Sequence, residues 1–280
     1  MGVFLATAAY GYQQLTAAST GSWPTILNTG LIGRWEMTNN ESWPGSGSIM
    51  YNLSTSSAYS VSSASIVNPF STDTTNGIIL NGSSSRVDFG ILSTLNSGSY
   101  NLNAAITASN ELTVFFVCKL DSTGNAKQTA LSAWNDYFSD TGQSKYITLL
   151  ERSDASNNAE TNLATTAGFN LSTVSSLFVS NTDKSYGYRL KFVTNGWTYW
   201  KGTSNFATKT ASGTGLSTTL YPLNSPWVFG TRGSTTLNGF YANRYWKGNL
   251  YAAYIFNRYL SDSEMQELQA YTNTYVKANS

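Results

Sequence analysis

An all-β, two-sheet antiparallel sandwich with a short C-terminal helix is the fold that this 280-residue sequence predicts. Three observations predict it. Along residues 112–120, Leu112, Val114, Phe116, Cys118 and Leu120 line one face while Phe115 and Val117 make the other partly apolar, which suits a strand held between two layers. Asn195-Gly196, set between apolar runs, is the strongest short hairpin signal in the chain. Residues 248–271 pass from a buried-looking strand through a turn into a helix with a complete start signal.

The elements follow in order. Residues 1–28 form a separate segment ending near Trp23-Pro24. It reads as an edge strand or as an arm that docks on a partner, and a terminus packed on its own domain is the plainer alternative. The domain proper takes residues 29–280. Residues 30–37 (GLIGRWEM) are the candidate first strand, and residues 39–76 are rich in Ser, Gly and Asn with few hydrophobics. Ile78–Leu80, a turn at Asn81-Gly82 and Arg86–Phe89 read as a hairpin with Val87 and Phe89 inward. Further strands are expected at 129–134 and 146–150, and a polar, loop-rich stretch at 151–176.

A two-residue turn at Asn195-Gly196 sets Phe192 opposite Tyr199 and Lys191 opposite Trp200. Leu190, Phe192, Trp197 and Tyr199 then share a core face, and Arg189, Lys191, Thr198 and Trp200 a wetter one. Strands at 227–230 and 246–256 complete the sheets. In the helix, Ser261 caps the N-terminus, Glu264 closes a capping box, and Leu260 and Met265 form a hydrophobic staple. Leu268, Tyr271 and Tyr275 continue the apolar stripe.

Composition narrows function. Charged residues are only 11% with a formal net charge of +1, so neither nucleic acid nor an anionic membrane is an expected partner. Aromatics reach 14%, with 18 Tyr and 8 Trp, so the chain can fill a core despite its hydroxyl and amide load. A single Cys118 excludes a disulfide framework within the chain. The absence of histidine excludes His-ligated zinc and every His-dependent nucleophile within it. No run is long enough to cross a bilayer, and no basic residue precedes the apolar N-terminal stretch, so neither membrane insertion nor a signal peptide is expected.

Taken in order, GLIGRWEM, GIILNGSSSRVDFG, ELTVFFVCKL, LKFVTNGWTYWKG and, above all, WKGNLYAAYIFNRYLSDSEMQEL resemble the laminin-G-like jelly roll of the concanavalin A-like lectin/glucanase superfamily. The likeness covers roughly residues 29–275. It implies a curved jelly-roll sandwich whose loops or concave face bind glycans in many relatives, hydrolyse them in some, and build assemblies in others.

Each candidate chemistry has a plain alternative. Glucanases of the superfamily carry Glu-x-Asp-x-x-Glu on one strand, and this chain has no such run. Glu151 and Asp154 are three apart and read as solvated loop carboxylates. Asn135, Asp136 and Asp140 form the densest oxygen-ligand cluster, so a structural calcium is a weak option and no cofactor is expected. The aromatic surface is the best lead, because sugar faces stack on Trp and Tyr while polar neighbours fix the hydroxyls. Tyr241, Asn243, Arg244, Tyr245 and Trp246 make one candidate glycan platform, and Trp200 with Lys191 a second. Core packing is the ordinary use of such residues.

The expectation is therefore a non-enzymatic structural and adhesion module. Its expected setting is a virion, as a phage decoration, fibre or tail-associated subunit held through residues 1–28 to copies of itself or to other virion proteins. A lectin for cell-surface glycans is the first alternative and a polysaccharide hydrolase the weaker one.

Overall fold

The computed structural model describes residues 22–54, 63–69, 71–73, 75–89, 111–124, 127–134, 146–153, 157–165, 168–191, 196–202, 207–213, 227–231 and 243–278. Along them run β1 (Leu31–Glu36), β2 (Ile49–Tyr51), β3 (Ser63–Val67), β4 (Ser71–Asp73), β5 (Gly77–Asn81), β6 (Arg86–Phe89), β7 (Glu111–Leu120) and β8 (Gln128–Trp134). The second half adds β9 (Tyr146–Arg152), β10 (Ala159–Thr165), β11 (Gly168–Val174), β12 (Asp183–Lys191), β13 (Gly196–Gly202), β14 (Ala207–Gly213), β15 (Trp227–Phe229) and β16 (Lys247–Phe256). A 3-10 turn (Thr25–Asn28) precedes β1, and helix α1 (Asp262–Tyr275) follows β16.

The strands form two antiparallel sheets. The front sheet runs β14-β13-β12-β7-β16-β5-β4, with β1 also on β16, and the back sheet runs β11-β10-β9-β8-β15-β6-β3-β2. β7 holds the centre, as its pattern predicts. Leu112, Val114, Phe116, Cys118 and Leu120 face the core between the sheets, while Phe115 and Val117 face a second core under α1. Strand β16 serves both layers, with Leu250, Ala253 and Ile255 inward and Tyr254 and Phe256 under the helix. A bulge between Leu250 and Ala252 resets its register against β7.

The helix begins where its signals place it. The Ser261 side chain accepts from the Glu264 amide and Glu264 returns the bond to the Ser261 amide. Leu260 and Met265 are both fully buried, so the staple is closed.

Three expectations need correction. Segments 78–80 and 86–89 are strands but do not pair, because β5 lies in the front sheet and β6 in the back. The Asn81 side-chain oxygen accepts from the amides of Ser83, Ser84 and Ser85 at 2.8, 2.9 and 3.1 Å. That corner carries the chain from one sheet to the other, and Val87 and Phe89 do face inward.

Residues 151–176 are not loop-rich, since they hold the end of β9 and all of β10 and β11. Their inward positions use hydroxyls. Thr161 and Ser172 are buried, and Ser172 Oγ meets the Tyr199 hydroxyl at 3.1 Å, so the apolar alternation is masked.

The β12–β13 register pairs Tyr188 with Tyr199 and Lys191 with Gly196, so the connection spans 192–195 rather than two residues. Phe192 lies outside the described residues. The slip is an even number of positions, so the faces survive: Leu190 and Tyr199 are in the core and Trp197 packs against it. Of the opposite face, Arg189, Thr198 and Trp200 are buried, while the Lys191 side chain stays 40% exposed as expected. The sequence pattern of that face does not announce the helix that lies over it.

Candidate functional site

Strand alternation and layer order decide what each candidate side chain can do. Residues 244–246 bridge the two sheets at one end of the sandwich. The Thr129 amide donates to the Arg244 carbonyl, the Trp246 amide to the Gly230 carbonyl, and the Gly82 amide to the Trp246 carbonyl. This run turns Trp246 inward. Its indole lies 5.8 Å from the Phe178 ring and 5.6 Å from Phe229, fully buried, and its N–H donates to the Lys119 carbonyl at 3.1 Å. Trp246 therefore offers no face to a sugar, which corrects its place in the first platform. Arg244 meets the buried Glu151 carboxylate at 3.2 Å. Glu151 is thus a structural ion-pair partner on β9 and not a solvated loop carboxylate.

The rest of the first platform divides. Tyr241 lies outside the described residues, as do Asn135, Asp136, Asp140 and Asp154. Asn243 is exposed. Tyr245 is 8% exposed, and burial pushes its phenol pKa up while Arg86 opposes the shift. Val87 and Phe89 point into the core, so Arg86 and Asp88 occupy the outer face of β6, where Arg86 Nε donates to Asp88 at 2.9 Å. Burial raises the Asp88 carboxyl above its ordinary range, against the pull of Arg86. Of this platform there remain the exposed Asn243 and the largely buried Tyr245, which lies beside the Arg86–Asp88 pair.

The second platform is absent as such. Trp200 lies under α1, with the Arg189 guanidinium 4.6 Å above its ring and the same guanidinium 4.4 Å from the Tyr259 ring. Lys191 turns away to Glu111 at 2.8 Å, and that bond raises its pKa. The helix removes Trp200 from solvent, and the register, which sets Trp200 opposite Gly187 and Lys191 opposite Gly196, separates the pair.

A third cluster escaped the sequence reading. Glu36, 2% exposed, accepts from Arg34 Nε at 2.8 Å, from the Tyr254 hydroxyl at 3.0 Å and from the Tyr271 hydroxyl at 3.2 Å. Burial and the neighbouring Glu36 charge push both phenols up. Above this network Trp23 stacks on Tyr254 at 5.5 Å and meets Tyr271 edge-on at 5.0 Å, with Arg34 4.2 Å from its ring. Residues 22–28 thereby pack on the outer side of the front sheet. The signal for both arginine clusters was present: Arg34-x-Glu36 and Arg86-x-Asp88 each put opposite charges on one face of a strand. Among the described residues, no three His, Cys, Asp or Glu side chains stand together as a metal site, and no helix is long and apolar enough to cross a membrane.

No family model matches the chain, and no curated protein matches its sequence. Solved structures match in fold. A Trypanosoma rangeli sialidase in complex with 2,3-difluorosialic acid is similar over 88% of this chain and 33% of its own length, at 16% identity and a TM-score of 0.57. This chain thus spans about a third of that protein's length. The CBM40 module of the Ruminococcus gnavus IT-sialidase, bound to α2,3-sialyllactose, aligns over 61% of this chain and 90% of its own at 13% identity and a TM-score of 0.48. The NanB sialidase of Streptococcus pneumoniae aligns over 68% and 26%, at 13% identity and a TM-score of 0.49. The likeness to the trypanosomal protein bears on the β-sandwich fold alone.

Proposed function

We propose that this chain is a non-enzymatic structural and adhesion module, a sandwich of the laminin-G-like kind that assembles with copies of itself or with other proteins of a particle. One observation carries the proposal. Each buried carboxylate among the described residues is committed to an arginine: Glu36 to Arg34 at 2.8 Å, Asp88 to Arg86 at 2.9 Å and Glu151 to Arg244 at 3.2 Å. Most glycosidases need two carboxyl groups flanking the scissile bond, one free to carry the proton, and these three ion pairs do not supply that pair. Large apolar side chains meanwhile stay at the surface, with Ile26 in the N-terminal segment, Tyr275 on α1 next to the Tyr271 ring, and Ile49 and Tyr51 on the edge strand β2. A virion, and a phage particle in particular, is the setting we propose, supported by the low charge and single cysteine.

The test is the mass of the purified chain by light scattering, together with its binding to candidate particles. Multimers or particle docking support the proposal, and a strict monomer that docks nowhere overturns it. New reducing ends after incubation with bacterial polysaccharide would overturn the non-enzymatic part.

Glycan recognition is the second reading, favoured by the exposed Asn243 and by Tyr245 beside the Arg86–Asp88 pair on the outer face of β6. A glycan array on wild type, Asn243→Ala and Tyr245→Phe decides it. Binding lost in the variants supports a lectin role, and no binding by wild type retires it.

A further inference from the structure

We propose that Asn76 is a self-modification site, at which the Gly77 backbone nitrogen displaces the side-chain amide and leaves aspartate or isoaspartate. This goes beyond the assembly reading and does not depend on it.

Four Asn-Gly steps occur in the chain, and two of them, Asn76-Gly77 and Asn81-Gly82, lie within the described residues. The chemistry open to both is the same. The glycine nitrogen gives up its proton to hydroxide and attacks the asparagine Cγ. The new C–N bond closes a succinimide as the bond to Nδ2 breaks and ammonia leaves. Water then opens either C–N bond of the ring, giving an aspartate or an isoaspartate. Glycine permits the closure because no Cβ crowds the attacking nitrogen.

The fold separates the two steps. At the corner between the sheets Asn81 Oδ1 accepts from the amides of Ser83, Ser84 and Ser85, and its Nδ2 donates to Ser84 Oγ at 2.9 Å. The attacking nitrogen is held as well, since the Gly82 N–H donates to the Trp246 carbonyl at 3.0 Å. Nucleophile, electrophile and leaving group are all fixed there, and closing the ring would break these bonds.

Asn76 stands exposed in the turn between β4 and β5. Its peptide carbonyl accepts from Asn249 Nδ2 at 2.9 Å. When Gly77 loses its proton, the amidate charge spreads onto that same oxygen, so the donor from β16 stabilises the reactive form. The glycine cannot be exchanged for a slower residue. Gly77 has φ +64°, and a Cβ there would lie 2.3 Å from the Leu250 carbonyl oxygen. The packing of β5 on β16 thus imposes the glycine and supplies the donor. An isoaspartate would add a carbon atom to the backbone of this turn and loosen β4, the edge of the front sheet.

The test is ageing of the purified chain at mildly alkaline pH, followed by peptide mass spectrometry and enzymatic detection of isoaspartate. Conversion at residue 76 is expected to run about tenfold or more ahead of that at residue 81, whose fixed bonds must break first. In urea, which removes the fold, the two rates should converge. Asn249→Ala and Asn249→Asp should each slow conversion at residue 76 by about fivefold, the worth of one net hydrogen bond. Asn76→Gln should abolish it. Circular dichroism confirms that the Asn249 variants are folded. Equal rates at the two sites in the folded chain, or faster conversion at residue 81, overturn the proposal. A rate at residue 76 that is unchanged in both Asn249 variants overturns the part given to Asn249.

Discussion

Arg189 and Asp262 form an ion pair at 2.8 Å that is dry at one end and wet at the other, the arginine side chain 1% exposed and the aspartate 65%. The guanidinium reaches from β12 through the second core to the first turn of α1. It also donates to Thr198 Oγ1 at 2.8 Å and to the Leu260 carbonyl, and it lies between the Trp200 and Tyr259 rings. Arg189→Ala should cost about 3 kcal/mol, because it strips a helix-start carbonyl, a hydroxyl and two ring contacts together. Asp262→Ala should cost only about 1 kcal/mol, since the arginine keeps its other partners. Urea unfolding midpoints compare the two, and equal losses would mean that the carboxylate, not the buried guanidinium, fastens the helix.

The capping box carries a pH signature. Burial alone would raise the Glu264 carboxyl, but Arg258 at 2.8 Å and the Ser261 amide outweigh it and hold it below the usual carboxylate range. A depressed carboxylate contributes stability that is full above its unfolded value of 4.5 and is lost as pH falls through the lower folded value. Glu264→Gln should lower stability by about 1 kcal/mol at neutral pH, roughly 2–4 °C in Tm. The gap to wild type should narrow below pH 4.5. A gap that is constant with pH would show that the charge does not contribute.

What the sequence disclosed follows from how local each signal is. The cap at Ser261 and the alternation of Leu112 to Leu120 are written within a few residues, and both stand in the structure as read. The sheet assignment of Val87 depends on which distant strand accepts it, so two good strands beside Asn81-Gly82 read locally as a hairpin. Thr161 and Ser172 look like loop residues until Leu150 and Tyr199 supply their partners. The candidate site suffered most, because an indole's use depends on what lies over it. Trp200 meets α1 and Trp246 meets Phe178, neither of which is near in sequence.

Gly248 tests how closely β16 approaches β7. It has φ +136°, and a Cβ there would lie 2.0 Å from the Lys119 carbonyl oxygen. Gly47 at φ +84° has nothing within 4 Å of the same atom. Gly248→Ala should cost about 3 kcal/mol or more, and Gly47→Ala only about 1 kcal/mol for its backbone conformation. Comparable thermal shifts in the two variants would show that the strand yields at Gly248.

Trp246 and Tyr245 separate folding from recognition. Trp246 fills the end of the sandwich against Phe178 and Phe229 and holds the Lys119 carbonyl, so Trp246→Ala should lose about 3–5 kcal/mol and abolish any activity by unfolding. Trp246→Phe keeps most of the ring volume but loses the indole bond to that carbonyl, and should lose less, about 1–3 kcal/mol. Tyr245→Phe removes one hydroxyl beside Arg86 and should cost about 1 kcal/mol while leaving the core intact. Denaturant midpoints measured beside ligand binding distinguish the roles. A Trp246→Ala protein as stable as wild type would put that indole on the surface and reopen the platform it was first assigned to.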